Sequence, residues 1–181
     1  MGADTSSGVQ AVDAPPLKPI AIPARLADTP VDEPKYSVSV KNSAGEDVTV
    51  ADPNATRAAV ALMDIHAVVG GAACHWGGPA AFAEIMAVTH AVMFATENRQ
   101  WHEAFNFVND AGHTENGVYA LRANYGFDGM DYKTLRGFRS IESKLTGHGE
   151  SHINPEGILI SNGPLGSGLP QSQGLAIGDK V

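Results

Sequence analysis

Several ingredients are scarce in this chain of 181 residues, and each scarcity excludes a class of protein. It has one cysteine, Cys74, so neither an internal disulfide nor a cysteine-rich zinc site can form. It lacks the run of about 20 apolar residues that a membrane-spanning helix needs. Only 12 basic residues face 20 acidic ones, and the net charge of −8 leaves no basic surface for nucleic acid. We therefore expect no nucleic-acid partner, no membrane partner and a cytoplasmic location.

Residues 1–34 contain no aromatic side chain, and they show neither the basic nor the apolar segment of a secretory signal. Pro, Ala, Asp and Ser dominate them, and such a stretch buries too little apolar surface to offset its ordering entropy. We predict that they form a disordered or loosely draped arm. The remainder of the chain is long enough for one globular domain with a real core.

Local patterns predict the elements of that domain. Alternating apolar and polar residues on either side of a turn-like segment indicate a β-hairpin within residues 35–50. Asp52 followed by Pro53 is a favourable helix start, and Gly70 with Gly71 ends that helix. Further helices are predicted over residues 79–94, 114–125, 131–141 and 169–180 (the last beginning near Leu165), and a short strand over residues 104–108. Strands that end in loops leading into helices predict an α/β fold, with helices packed on a mainly parallel sheet.

The predicted helix over residues 79–94 is apolar on nearly every side. We therefore expect it to be buried, either centrally or against another subunit. Two histidines lie within predicted helices. We interpret His66 as a partly buried helix residue and His90 as a hydrogen-bonded core residue.

Two unlike glycine-containing loops enclose a short apolar run, residues 158–160. The first, Gly147-His148-Gly149-Glu150, presents an imidazole between two glycines. The second, residues 163–168, has three glycines and precedes a predicted helix. Glycine lacks a Cβ and lets the backbone approach a ligand, and a glycine-rich turn before a helix suits an anion or a flat polar ligand. Taken alone, such a turn also fits a simple reversal of the chain.

Three histidines, His75, His113 and His148, each lie in a loop that contains glycine. An imidazole donates at one nitrogen and accepts at the other, so it suits the hydroxyl groups of a sugar. Near neutral pH it can also carry a proton. A zinc site with three histidines is the alternative, but no two of them have the close spacing that is typical of zinc ligands.

These segments together resemble the first domain of transketolase. That family carries Gly-His-Pro-Glu followed by Thr-Gly-Pro-Leu-Gly-Gln-Gly, to which residues 147–150 and 163–168 are similar. Residues 75–79 resemble its Ser-Gly-His-Pro-Gly-x-Pro segment, and residues 107–113 resemble its Phe-Val-x-Ser-Asn-Gly-His segment. Residues 135–139 are similar to its Leu-x-x-Phe-Arg. These segments occur in the family's order, and the match extends over roughly residues 52–180, which is most of the chain.

Four departures from the family pattern lie beside the expected substrate. Its Ser-Gly before the first histidine is replaced by Ala73-Cys74, its next proline by Trp76, its Ser-Asn by Asp110-Ala111, and the proline of Gly-His-Pro-Glu by Gly149. They bear on sugar specificity more than on the fold.

The resemblance implies that residues 51–181 are the N-terminal part of a thiamine diphosphate-binding domain of the pyrophosphate type. It also implies an activity, the transfer of a two-carbon ketol unit from a ketose phosphate to an aldose phosphate in the pentose phosphate pathway. By the same resemblance His75 and His148 contact the donor ketose, and His113 lies near the cofactor phosphates and the substrate. The cofactor-packing residues would be Gly163, Pro164, Leu165 and Gly166, together with His113.

The family's metal-binding segment, Gly-Asp-Gly followed later by Asn, is only superficially similar to residues 178–180. We therefore expect magnesium (or calcium) to be held by ligands outside this chain. We also expect a fragment or subunit that is inactive alone and that needs the remaining transketolase segments or a second subunit, in a homo-oligomer such as a dimer. The alternatives are an E1 component of a 2-oxo acid dehydrogenase, and a non-catalytic module that binds a related subunit.

Overall fold

A computed structural model of the chain describes residues 25–180, which form a mixed domain of helices and one small sheet. The elements in chain order are β1 (Ser37–Lys41), β2 (Asp47–Ala51), α1 (Pro53–Val69), α2 (Gly77–Ala81), α3 (Ala83–Phe94), α4 (Trp101–Ala104), α5 (Glu115–Asn124) and α6 (Gly168–Gly178). Single 3₁₀ turns lie at Gly112–Thr114, Phe127–Gly129 and Thr134–Gly137. In this part of the chain no helix is long and apolar enough to cross a membrane.

The predicted hairpin is confirmed, with β1 and β2 paired antiparallel. Asn42 shapes its turn, because the side-chain oxygen accepts two backbone N–H groups within the turn at 2.9 Å. Gly45 supplies the left-handed position, at φ +79°. Val50 and Ala51 at the end of β2 are buried among side chains of α3 and α5. The hairpin therefore lies on the helices as a cover rather than at the centre of the domain.

Helix α1 begins and ends where the sequence predicts. The Asp52 carboxylate accepts the N–H of Asn54 at 2.8 Å, and Pro53 occupies the first helical position. At the other end Gly71 adopts φ +85°, which ends the helix.

Helix α5 is the centre of the domain, and every residue in it is buried. It packs against α1, α2 and α3, and Gly126 ends it in the left-handed conformation at φ +68°. The main apolar core around it comprises Ala59, Val60, Met63, Ala67, Met93, Trp101, Tyr119, Ala120, Ala123, Phe127, Met130, Leu135, Phe138, Leu145 and Ile158. Because α5 follows the His113 segment directly, the core fixes the position of that segment.

Helix α5 also buries a charged side chain, Arg122, which is 2% exposed. Its guanidinium carbon lies 4.7 Å from the ring centre of Phe127, 5.2 Å from that of Phe107 and 5.6 Å from that of Trp101. Its Nε–H donates to Nε2 of His90 at 3.2 Å. Burial is the main cause that lowers the pKa of Arg122, to about 10.

The histidine within α3 is a core residue, as predicted. His90 is fully buried, and because its Nε2 accepts from Arg122, its Nδ1 carries the proton and donates to the carbonyl of Met86 at 3.0 Å. Burial first, and then the charge of Arg122, hold the pKa of His90 well below its usual value. The prediction of a partly buried His66 is wrong, since that side chain lies on the exposed face of α1.

The predicted mainly parallel sheet is not formed within residues 25–180, where the two strands of the hairpin are the only ones. Ala104 ends α4, residues 105–108 and 158–160 run irregularly, and Phe107 borders one small cavity together with residues 158–160. They exchange no backbone hydrogen bonds in the described part of the chain. A parallel ladder needs a neighbouring strand for each of them, and these residues supply none.

Two predicted helices also differ from the structure. Residues 131–141 form turns and one 3₁₀ turn rather than a helix. The Asp131 carboxylate accepts the N–H and the hydroxyl of Thr134, both at 2.7 Å, which caps the start of a helical turn, but that turn ends at Gly137, and Arg139 adopts φ +62°. The predicted helix over residues 79–94 breaks at Phe82 into α2 and α3, where the Phe82 ring lies against Gly117.

Helix α3 leaves a row of apolar side chains at the surface of this chain, namely Ile85, Val88 and Val92. Its burial against another subunit therefore stays a prediction.

Residues 25–34 lie along the body of the domain in an extended path. The carbonyl of Ala27 accepts the indole N–H of Trp101 at 2.8 Å, and the Thr29 hydroxyl accepts the backbone N–H of Trp101 at 2.7 Å. This part of the predicted arm is therefore draped on the domain rather than disordered. Residues 1–24 lie outside the described residues.

Candidate active site

The structure brings two of the predicted histidines into direct contact. The His113 loop (residues 110–113) leads into α5, and the His75 loop (residues 72–76) leads into α2. The centres of the two imidazole rings lie 4.8 Å apart, and their planes are tilted by 55°. His75 is exposed and His113 is half-buried, so both rings are accessible at one surface.

The His113 loop lies directly against the glycine loop (residues 163–168). A Cβ placed on Gly112 would be 2.9 Å from both the Cα and the N of Gly163, and 2.7 Å from Oδ1 of Asn162. Every other residue carries a Cβ, which would collide with these atoms. The close approach of the two loops therefore requires glycine at position 112.

The third histidine lies on the opposite side of the same glycine. Gly163 has φ +142°, and a Cβ there would be 3.4 Å from Nδ1 of His148. The guanidinium of Arg139 packs against Gly147 and supports the His148 loop (residues 147–150). The three predicted histidines are thus gathered around Gly163, with His75 joined through His113.

Buried polar side chains fix the His75 loop to the core. The amide of Asn116, in the first turn of α5, donates to the carbonyl of His75 at 2.9 Å and to Oδ1 of Asp64 at 3.1 Å. Asp64 is only 9% exposed, and its other oxygen has no hydrogen-bond partner among residues 25–180. Burial raises the pKa of Asp64, although the hydrogen bond from Asn116 opposes the shift.

The thiol of Cys74 is not a candidate nucleophile. Burial raises its pKa, and the nearby Asp64 carboxylate raises it further. The sulfur lies 3.5 Å from the backbone carbonyl of Asp64, to which it donates. We therefore assign Cys74 to the support of the loop.

A second buried carboxylate, Glu115, lies under the other two loops and is 3% exposed. Its Oε2 accepts the amide groups of Asn109 and Asn162, both at 2.8 Å. Burial raises the pKa of Glu115, and these two hydrogen bonds oppose the shift. Asn162 in turn accepts the backbone N–H of Gly149 at 2.7 Å. The His148 loop, the glycine loop and α5 are thus joined by one hydrogen-bonded chain.

The glycine loop is anchored by Asp110, one of the departures from the resembled family. Its two carboxylate oxygens accept the N–H groups of Gly168 at 2.5 Å and Gly166 at 2.9 Å. These backbone hydrogen bonds lower the pKa of Asp110. The first amide of α6 and the amide of Gly166 are therefore engaged by the chain itself.

The surface of the glycine loop suits a flat ring rather than an anion. Pro164, Leu165 and Gly166 are exposed, with Leu165 68% exposed, beside the half-buried His113. Within residues 25–180 no group of three or more His, Cys, Asp or Glu side chains is arranged to hold a metal ion. These residues fit the ring-binding part of a cofactor such as thiamine diphosphate.

The sequence analysis missed the buried polar residues of the site, namely Asp64, Glu115, Asn116 and Asn162. One local signal points to two of them, since Glu115 and Asn116 come just after His113 and Thr114 and open a predicted helix. Asp64 and Asn162 gain their roles only from distant contacts, with partners 52 and 47 residues away.

The chain is similar in sequence to known proteins. The family described as "Transketolase, thiamine diphosphate binding domain" matches residues 53–181. The transketolase of Cereibacter sphaeroides is 27% identical over 138 residues, which cover 75% of this chain and 21% of that protein. The transketolase of Buchnera aphidicola subsp. Schizaphis graminum is 32% identical over 125 residues, covering 68% of this chain and 18% of that protein.

A plant relative is similar to the same degree. The chloroplastic transketolase-1 of Arabidopsis thaliana is 32% identical over 123 residues, covering 67% of this chain and 16% of that protein. The chain therefore spans between 16% and 21% of the length of these relatives. No solved structure matches it. On the match over residues 53–181, the chain belongs to the transketolase family, within its thiamine diphosphate-binding domain.

Proposed function

We propose that this chain supplies the histidine-bearing part of the active site of a thiamine diphosphate-dependent ketol transferase. The observation that carries the proposal is that the His113 and His148 loops both lie against one glycine, Gly163, and that the His113 ring contacts the His75 ring. Sugar phosphates are the proposed substrates, a ketose as donor and an aldose as acceptor. The cytoplasmic location, the pentose phosphate pathway and the division into residues 1–34, 35–50 and 51–181 stay predictions.

Each histidine has a proposed role that follows from its exposure. His75 and His148 are exposed on either side of the glycine loop, so their ring nitrogens are free to bind hydroxyl groups of the donor ketose. His113 is half-buried against His75, nearer to the place where the cofactor would lie. Proton transfer to and from substrate oxygens at these imidazoles is the chemistry that the chain contributes.

The residues proposed to hold the cofactor ring are Gly163, Pro164, Leu165 and Gly166, with His113 beside them. Thiamine diphosphate, when bound, supplies the nucleophilic carbon that takes up the two-carbon unit. The cation that neutralises the diphosphate, magnesium or calcium, is proposed to be held by residues outside this chain. We therefore expect the chain alone to bind thiamine diphosphate weakly, with a dissociation constant well above the micromolar range in isothermal titration with magnesium present.

The experiment that tests the function uses the enzyme assembled from this chain and the remaining transketolase segments supplied in trans. His148→Ala should lower turnover by about 10²- to 10⁴-fold, which is the usual scale for a lost acid–base group. His152→Ala is the matched control, because His152 lies four positions later and its side chain is 72% exposed. Equal turnover of the two variants would place the active site elsewhere.

The chain's exposed apolar residues support a partner proposal. Ile85, Val88 and Val92 of α3 and Leu169 and Ile177 of α6 are between 49% and 69% exposed. Monomeric domains rarely leave so many apolar side chains uncovered, so we propose that further transketolase segments or a second subunit cover them. A non-catalytic module would show the same surfaces but no turnover in the assembled assay. The relatives named above are all transketolases, and they give no support to a 2-oxo acid dehydrogenase component.

A further inference from the structure

The carboxamide of Asn162 lies where three loops meet. Its Oδ1 accepts the N–H of Gly149 at 2.7 Å, and its own backbone N–H donates to the carbonyl of Gly149 at 3.0 Å. The same oxygen would be 2.7 Å from a Cβ on Gly112, so the side chain also touches the His113 loop. One side chain thus contacts two of the three loops that carry a proposed catalytic histidine.

Gly149 is the residue that makes this arrangement possible. A Cβ at this position would lie 2.8 Å from Nδ2 of Asn162 and 2.9 Å from the Cδ1 of Ile158. Gly149 is buried, and its N–H is the hydrogen that Asn162 binds. Proline, which stands here in the resembled motif, has no N–H and could not make this bond.

Glu115 holds the carboxamide of Asn162 in its orientation. Its Oε2 can only accept from Nδ2 of Asn162, so the amide nitrogen is fixed toward α5 and the amide oxygen toward Gly149. Glu115 is buried at the start of the fully buried helix, which makes it a rigid anchor. Arg122 and Tyr119 on the same helix, and His148 on the facing loop, are the titratable groups close enough to interact with it.

We propose that Glu115 and Asn162 act together as a positioning pair for His148, which they hold against the glycine loop through the N–H of Gly149. The pair fixes the position of the His148 loop, which lacks the rigid proline ring of the resembled motif. It acts on the reaction only through the place of His148, and in that respect it rests on the proposed function. The contacts themselves are independent of cofactor and substrate.

The test is made in the full chain. It replaces the carboxamide of Asn162 by a carboxylate, and then the carboxylate of Glu115 by a carboxamide. Asn162→Asp keeps the size but sets one carboxylate against another, so the Gly149 amide should exchange with deuterium at least about 10-fold faster at neutral pH. The His148 ring signals should shift in the same variant. Adding Glu115→Gln restores a donor and an acceptor, and it should return the Gly149 exchange rate to within about 3-fold of the wild type. Asn98→Asp adds the same charge on an exposed residue, and we expect it to change neither signal.

A second variant keeps the test decisive if Asn162→Asp does not fold. Asn162→Ser removes the reach to Gly149 without adding charge, and it should speed the exchange of Gly149 by about the same factor while the amides of α5 stay protected. Wild-type exchange at Gly149 in either folded variant, or failure of Glu115→Gln to rescue a folded Asn162→Asp, would overturn the proposal. Since these measurements need no cofactor, such a failure leaves the His148→Ala activity test untouched, and the two proposals fail separately.

Discussion

The close approach of Gly112 to Gly163 leads to the most direct prediction, which concerns Gly112→Ala. The added methyl group would meet the Cα and N of Gly163 at 2.9 Å, well inside ordinary contact distance. Both atoms belong to the backbone, so the strain cannot be relieved by turning a side chain. Overpacking of this kind costs about 1–3 kcal/mol, and the glycine loop has to move away from the His113 loop.

The expected loss can be read as a melting temperature. For a domain of this size 1 kcal/mol corresponds to roughly 2–4 °C, so Gly112→Ala should melt about 2–12 °C below the wild type. Gly77→Ala is the matched control. That glycine is the first residue of α2, close to His75 in sequence, and a Cβ there meets nothing within 4 Å. Alanine favours a helix over glycine, so the control should melt at or slightly above the wild-type temperature.

The assay is thermal and urea unfolding of the three proteins followed by circular dichroism. The ring signals of His113 and His148 should also change in Gly112→Ala and stay in place in Gly77→Ala. If Gly112→Ala melts as high as the control, the two loops are not in backbone contact, and the proposed active site loses its geometry.

Two further predictions concern buried titratable residues. His90→Ala should lower the free energy of unfolding by about 1–3 kcal/mol, because it leaves the Arg122 donor unpaired, whereas the exposed His66→Ala should change it by less than about 0.5 kcal/mol in urea unfolding. Equal losses would contradict the burial of His90. The pKa of Glu115 is raised in the folded state. The protonated carboxyl group therefore stabilises the fold at pH values below the unfolded pKa of glutamate, and this stabilisation is lost as the pH rises through the folded pKa. Glu115→Gln should flatten that fall in urea unfolding as the pH is raised above the unfolded pKa of glutamate, and an unchanged slope would refute the assignment.

Local signals in the sequence were enough for the elements that local contacts create. The start of α1 follows from Asp52 and Pro53, and its end from Gly71, because capping and left-handed glycine act within a few residues. The histidine loops could be singled out for a similar reason, since glycines near His75, His113 and His148 are visible in the sequence. Their meeting around Gly163 is a tertiary fact that no local pattern contains.

The predictions from the sequence that are wrong fail for physical reasons. Residues 131–141 have a helical spacing of apolar residues, and Leu135 and Phe138 are indeed buried, yet the helical turn that Asp131 caps ends at Gly137, and the chain reverses at Arg139 with φ +62°. The parallel sheet was expected from segments that are extended enough but lack neighbouring strands among residues 25–180. The polar support of the site, such as Asp64, depends on partners that are distant in sequence, so composition and spacing carry no trace of it.

The two tryptophans sit in opposite surroundings, and this gives the molecule a pair of separable optical probes. Trp76 is 46% exposed, next to His75 at the mouth of the proposed site, whereas Trp101 is 1% exposed beneath the draped segment at Ala27 and Thr29. An indole that loses its burial emits at longer wavelength. In Trp76→Phe the whole fluorescence would therefore come from Trp101, and it would report when residues 25–34 lift from the domain. A ligand that quenches the fluorescence of the wild type but not that of Trp76→Phe would instead be bound beside His75.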